Sequence, residues 1–152
     1  MSSSVTLYSK IIVSLNMNKA TSEVIDALKT ASEGLQFMSE SDYPFKTFLW
    51  EGEAKEPLTP EKIVQQTDHP QGTPVEVIEL SDFFEVATQE QDWYGPEEKA
   101  TAARYRDLLH TLESALEDIK VYRVGTIEID VYIVGKANSS DLVGLSTKVI
   151  ET

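Results

Sequence analysis

The run VYRVGTIEIDVYIVG, Val121 to Gly135, and the run LVGLSTKVI, Leu142 to Ile150, decide the fold. Both are dense in β-branched and aromatic residues, as strands are. Gly125 breaks the first run, and a turn from Gly135 to Asp141 separates it from the second. Three strands result: Val121–Val124, Thr126–Val134 and Leu142–Ile150. In the middle one Glu128 and Asp130 share a face, with Ile127, Ile129 and Val131 on the other. That is the alternation of a strand with one solvated side and one core side.

Upstream the period changes. Pro96 opens the longest helical pattern, in which Ala102, Tyr105, Leu109, Leu112, Leu116 and Ile119 step by three and four along one stripe. Glu97 and Glu98 stand where the helix dipole favours negative charge. Val75–Leu80 reads as another strand, and Ser81 as the cap of a short helix carrying Phe83, Phe84 and Val86. Phe45–Trp50 is a strand, Thr59-Pro60 opens a short helix to about Gln66, and Asp68–Pro74 is a loop. Nearer the start, Thr21 or Ser22 caps a helix with Val24, Ile25, Leu28 and Ala31 on its apolar face. Gly34 closes that helix. Residues 1–16 form a Ser-rich extension in which Val5, Leu7, Ile11 and Val13 either add a strand or fray. Helices early and strands late give an α+β class, with helices packed on one sheet and a single domain over 17–152.

Charge narrows the function. Among 152 residues, 26 Asp and Glu face 13 Lys and Arg, a formal net charge of −13. Direct nucleic-acid binding needs a basic footprint, so a basic protein partner is the better expectation. Between Ile63 and Glu98 lie nine carboxylates and no Lys or Arg, yet the stretch keeps Phe83, Phe84, Trp93 and Tyr94. A folded segment of that kind sets a negative field beside rings able to pack on a partner. The absence of cysteine excludes disulfides, thiolate metal sites and Cys nucleophiles. No apolar run approaches the roughly 18 residues of a membrane span. Ile11-Ile12-Val13 with Leu15 is too short for a secretory leader, so the expectation is a cytoplasmic protein.

Few residues look catalytic. The two histidines, His69 and His110, lie far apart without Ser-His-Asp or HExxH spacing, and no glycine-rich phosphate loop or calcium loop occurs. A carboxylate hydrolase would need one acid raised in an apolar cleft. Trp93, in Gln91-Asp92-Trp93-Tyr94 before Gly95-Pro96, either folds back on the core or stands out as an aromatic anchor. Glu40 lies in the non-periodic Ser39–Asp42 stretch. The chain stays strand-like up to Thr152, whose carboxylate and hydroxyl make a compact set of hard oxygens suited to Mg²⁺ held by another molecule.

Several blocks resemble the cyanobacterial nuclease A inhibitor family: Phe37–Gly52 (FMSESDYPFKTFLWEG), Gln91–Tyr94, Val121–Gly125, and the final STKVIET. The similarity runs from Met17 to Thr152. It implies a three-layer α/β/α sandwich of the pathogenesis-related-1-like type with a mixed, largely antiparallel sheet. It also implies a non-enzymatic inhibitor, with no cofactor of its own, of a sugar-nonspecific DNA/RNA endonuclease of the ββα-metal class, bound one to one. Carried over by position, Thr152 approaches the nuclease's Mg²⁺ and Glu40 pairs with its basic residues. Gln91 and Trp93 pack at the cleft entrance. The extension before Met17 departs from the family pattern, as does Gly95-Pro96, where a more acidic stretch is expected. The competing readings are an acidic adaptor for another basic protein and a hydrolase built on acid pairs.

Overall fold

The β-branched carboxyl-terminal runs form the middle of one five-stranded sheet. The structure is a computed structural model and describes residues 21–37, 43–138 and 140–151. In chain order its elements are a helix over 21–32 (α1), β1 (Gln36–Phe37), β2 (Tyr43–Pro44) and β3 (Lys46–Trp50). A 3₁₀ turn (Glu53–Lys55), α2 (Pro60–Gln66), β4 (Val75–Ile78), α3 (Leu80–Thr88) and α4 (Pro96–Ala115) come next. The chain finishes with β5 (Glu117–Val124), β6 (Glu128–Lys136) and β7 (Leu142–Ile150). The class is α+β, as expected.

The sheet order is β3-β7-β6-β5-β4, and β1 and β2 make a separate short pair. A mixed sheet was expected; every pairing among the described residues is antiparallel. Short turns join β5 to β6 to β7, which fixes that orientation. Asn138 builds the β6–β7 turn, its Oδ1 accepting from the amides of Ser140 (2.8 Å) and Asp141 (2.9 Å). Gly125 makes the β5–β6 turn at φ 115°, a conformation that costs a side chain dearly.

Alternation along β5, β6 and β7 sorts the core into two clusters, one on each side of the sheet. Val121, Ile129, Val131, Ile133, Val143, Leu145 and Val149 meet Leu28 of α1, Phe83 and Phe84 of α3, and Tyr105, Leu108 and Leu112 of α4. On the other side Tyr122, Val124, Val134 and Leu142 meet Ala54 of the 3₁₀ turn and Ile63 of α2.

Local chemistry explains most boundaries. Thr59 Oγ1 accepts the Lys62 amide at 3.2 Å, with Pro60 at the first helical position, as the sequence suggests. Gly34 closes α1 at φ 76°. Four expectations shift. Thr21 and Ser22 both lie inside α1 rather than capping it. The N-cap of α3 is Glu79, not Ser81, because Leu80 is drawn into the buried face of the first turn. The long helix stops at Ala115, so Leu116 and Ile119 leave its stripe and Ile119 lies in β5. Both still pack on the same core, which is why helical spacing fits them equally well. Lastly, β6 begins at Glu128 and runs to Lys136, leaving Ile127 exposed in the turn instead of on the core face. The Val5–Val13 strand and the start at Met17 lie outside the described residues. No helix among those described is long and apolar enough to cross a membrane.

Candidate partner-binding surface

Gln91 and Trp93 lie in the loop between α3 and α4, and that loop is built at both ends. At its start, Arg106 of α4 donates to the Thr88 carbonyl (2.8 Å), satisfying one of the orphan acceptors at the end of α3. Arg106 also approaches Glu90 at 3.5 Å. At its end, Glu98 Oε2 accepts the Gly95 amide at 3.0 Å, and Pro96 supplies the first helical residue. Between these anchors the Tyr94 amide donates to the Gln91 carbonyl (3.0 Å), closing a tight turn.

The turn throws Trp93 outward. It is 74% exposed, and its ring meets the half-buried Tyr94 edge to face at 4.7 Å. Of the two readings open in the sequence, the first does not hold: Trp93 does not fold back onto the core. A groove of about 260 Å³ runs beside it, lined by Ala87, Trp93, Tyr94, Glu97, Thr101 and Ala102 among others. An exposed Trp is costly to leave in water and profitable to cover.

All nine carboxylates between Ile63 and Glu98 are exposed. Three have cationic partners from elsewhere: Glu76 with Arg123, Glu79 with Lys120 and Glu90 with Arg106. Asp68, Asp82, Glu85, Asp92, Glu97 and Glu98 have none among the described residues. Glu85, Asp92, Glu97 and Glu98 belong to the helix ends and loop around Trp93, so carboxylates predominate beside the exposed ring.

Contacts bring further segments toward that end of the molecule. The Asn138 amide holds Thr21 Oγ1 at 3.0 Å, tying the described start of α1 to the β6–β7 turn. At the far end of α1 the Arg104 guanidinium donates to the Glu33 carbonyl, so the first half of α4 reaches the end of the sheet opposite that turn. There β2 meets β7, and Thr147 Oγ1 of β7 donates to the Tyr43 carbonyl at 3.2 Å. The same end holds the close of β7, where the Glu151 amide donates to the Ile127 carbonyl at 2.8 Å. Glu40 and Thr152 themselves lie outside the described residues.

Sequence reasoning missed three participants. Arg106 was not singled out, although a cation ten residues into α4 can reach back to the helix before it. Ile127 is a second exposed apolar residue, 62% exposed, hidden in the sequence by its alternation with Ile129. Arg123 contacts Glu76, its register partner on β4, and Glu151, just past the end of β7.

The opposite side of the sheet holds a polar chain that spacing did not foretell. The Thr67 hydroxyl donates to the Ile63 carbonyl (2.6 Å) and stands 2.6 Å from His69 Nδ1, whose Nε2 stands 2.8 Å from Asp130. Asp130 is thus paired rather than simply solvated. Glu128 keeps to the solvent and holds Lys148 at 2.9 Å, a hydrogen bond that raises the lysine above its ordinary range. His110 is exposed on α4. No Asp or Glu among the described residues is buried, so none offers the desolvated acid that a carboxylate hydrolase requires. Nor do the described residues gather three His, Asp or Glu side chains able to hold a metal.

No curated protein matches the chain. A family model described as nuclease A inhibitor-like protein matches residues 22–152. That span takes in both sheet-forming runs, the α3–α4 loop and the Glu40 segment, and the chain belongs to the nuclease A inhibitor-like family.

Proposed function

We propose that this chain is a one-to-one protein inhibitor of a sugar-nonspecific, Mg²⁺-dependent DNA/RNA endonuclease of the ββα-metal class, which it blocks by imitating bound phosphates. The family supports a nuclease inhibitor, and exposed Trp93 among unpaired carboxylates is the observation that carries the reading. A cleft that grips phosphates is basic, and an acidic surface with an aromatic anchor complements it.

In this account Glu40 takes the place of a substrate phosphate against the nuclease's basic side chains. The oxygens of Thr152 approach the nuclease-bound Mg²⁺ in the manner of the scissile phosphate. Gln91 and Trp93 cover the cleft entrance, where removing the indole from water slows dissociation. The metal belongs to the nuclease, and this chain supplies oxygen atoms and charge. With helices against two sides of the sheet, we also read the fold as a three-layer sandwich of the pathogenesis-related-1-like type.

The net charge of −13 bears on rate. Steering toward a basic cleft raises association to roughly 10⁸ M⁻¹s⁻¹ at low salt, and added salt slows it. The interface is of standard size, on the order of 1,600 Å² in total. The test is to delete Thr152, or extend the chain beyond it, and titrate a purified nuclease of this class. Sharply weaker inhibition is expected. Full potency after deletion would refute the terminal-oxygen mechanism.

A further inference from the structure

Arg123 is a cation turned inward in a chain whose proposed partner is basic. It lies on β5 opposite Glu76 of β4, and its side chain is 19% exposed. Its Nε stands 3.7 Å from Glu76 Oε1, and its Nη2 bonds Glu151 Oε1. Glu151 is held a second time through its backbone, its amide donating to the Ile127 carbonyl at 2.8 Å. That carbonyl belongs to the β5–β6 turn, which is itself pinned by the Gly125 amide on the Pro74 carbonyl at 3.0 Å.

We propose that Arg123 is a positioning residue: by clamping Glu151 against the β5–β6 turn, it presets the direction in which Thr152 enters the partner's cleft. The inference rests on the inhibitor reading above and adds a residue that touches no partner atom. Chain ends fray unless they are tied down, and a residue that is still mobile must be ordered when it binds. Two holds on Glu151, one from the backbone and one from a charge-assisted bond, remove that cost in advance. Arg suits the task because its fork reaches two carboxylates at once, whereas Lys presents a single ammonium.

The experiment compares Arg123→Gln, Arg123→Lys and Glu151→Gln, each with Thr152 present and deleted, by inhibition of a purified Mg²⁺-dependent, sugar-nonspecific endonuclease. Hydrogen exchange at the Glu151 amide is followed alongside. With Thr152 present, Arg123→Gln and Glu151→Gln should each weaken inhibition by about tenfold, the expected cost of ordering one residue. Arg123→Lys, whose single ammonium cannot hold both carboxylates, should recover only part of the potency, and exchange at Glu151 should quicken in step with the loss. With Thr152 deleted, the same substitutions should have no further effect, which a general loss of stability would not produce. Unchanged inhibition by both glutamine variants overturns the positioning role while leaving the inhibitor reading intact. So does a loss of equal size with Thr152 absent. An unmodified chain that fails to inhibit overturns the inhibitor reading itself.

Discussion

His69 Nε2 stands 2.8 Å from Asp130 Oδ2, joining the loop after α2 to the middle of β6. Proton directions around the ring are constrained. The Thr67 hydroxyl is spent on the Ile63 carbonyl, and the Asp130 carboxylate can only accept. The three contacts link Thr67, His69 and Asp130 into one chain between the loop after α2 and β6. The pair is partly shielded, with side-chain exposures of 16% and 32%, so its loss is felt without being severe. Asp130→Asn should destabilise the fold by about 1 kcal/mol in urea denaturation.

Trp93 should behave in the opposite way. Being 74% exposed, it contributes little to the isolated fold, so Trp93→Ala should leave the denaturation midpoint nearly unchanged. Binding to a nuclease should weaken by about 2 kcal/mol or more, seen chiefly as faster dissociation. Equal loss of folding stability would mean that the ring supports the α3–α4 loop instead of a partner.

Tyr122 and Tyr132 face each other across β5 and β6. Burial pushes both phenols above their ordinary range, and nearby Asp130 adds to the shift at Tyr132. The unfolded chain therefore ionises first. The stabilisation is whole below about pH 10, the value of a free tyrosine, and is lost as pH rises through the folded values. Denaturation midpoints should fall as pH rises above about 10, and Tyr122→Phe should flatten that fall.

Gly125 turns at φ 115°, and a Cβ there would lie 2.5 Å from the Glu128 carbonyl oxygen. Gly125→Ala should cost about 1–3 kcal/mol of stability. Because Ile127 in the same turn holds Glu151, amide exchange at Glu151 should quicken in this variant more than at the centre of β7.

The strands were legible because Val121–Val124 and Leu142–Ile150 are rich in β-branched residues and Gly125 marks the end of β5. One core face of β6 was legible in the alternation of Ile129 and Val131; the second core, with Val124, Val134 and Leu142, was not, because Glu128 and Asp130 mark that face as solvated. The end of α4 was not, since Leu116 and Ile119 satisfy both a helical stripe and a strand that packs on the same core. At the candidate surface, charge and the isolated aromatic pair pointed to the Trp93 loop before any fold was known. The exposure of Ile127 depended on where a turn ended, and the pairing of Arg123 with Glu151 depended on how the chain leaves β7 beside the β5–β6 turn. Neither is a local property of the sequence. The roles of Glu40 and Thr152 came from family resemblance, and both residues lie outside those described.

The most direct measurement places the nuclease metal relative to Thr152. With the methyl groups of this chain isotopically labelled, the one-to-one complex is prepared with Mg²⁺ and then with paramagnetic Mn²⁺, and signal loss is read across all methyls by NMR. The account predicts that the Thr152 γ-methyl broadens more than any other. A Thr152 signal of equal strength in both complexes would contradict it.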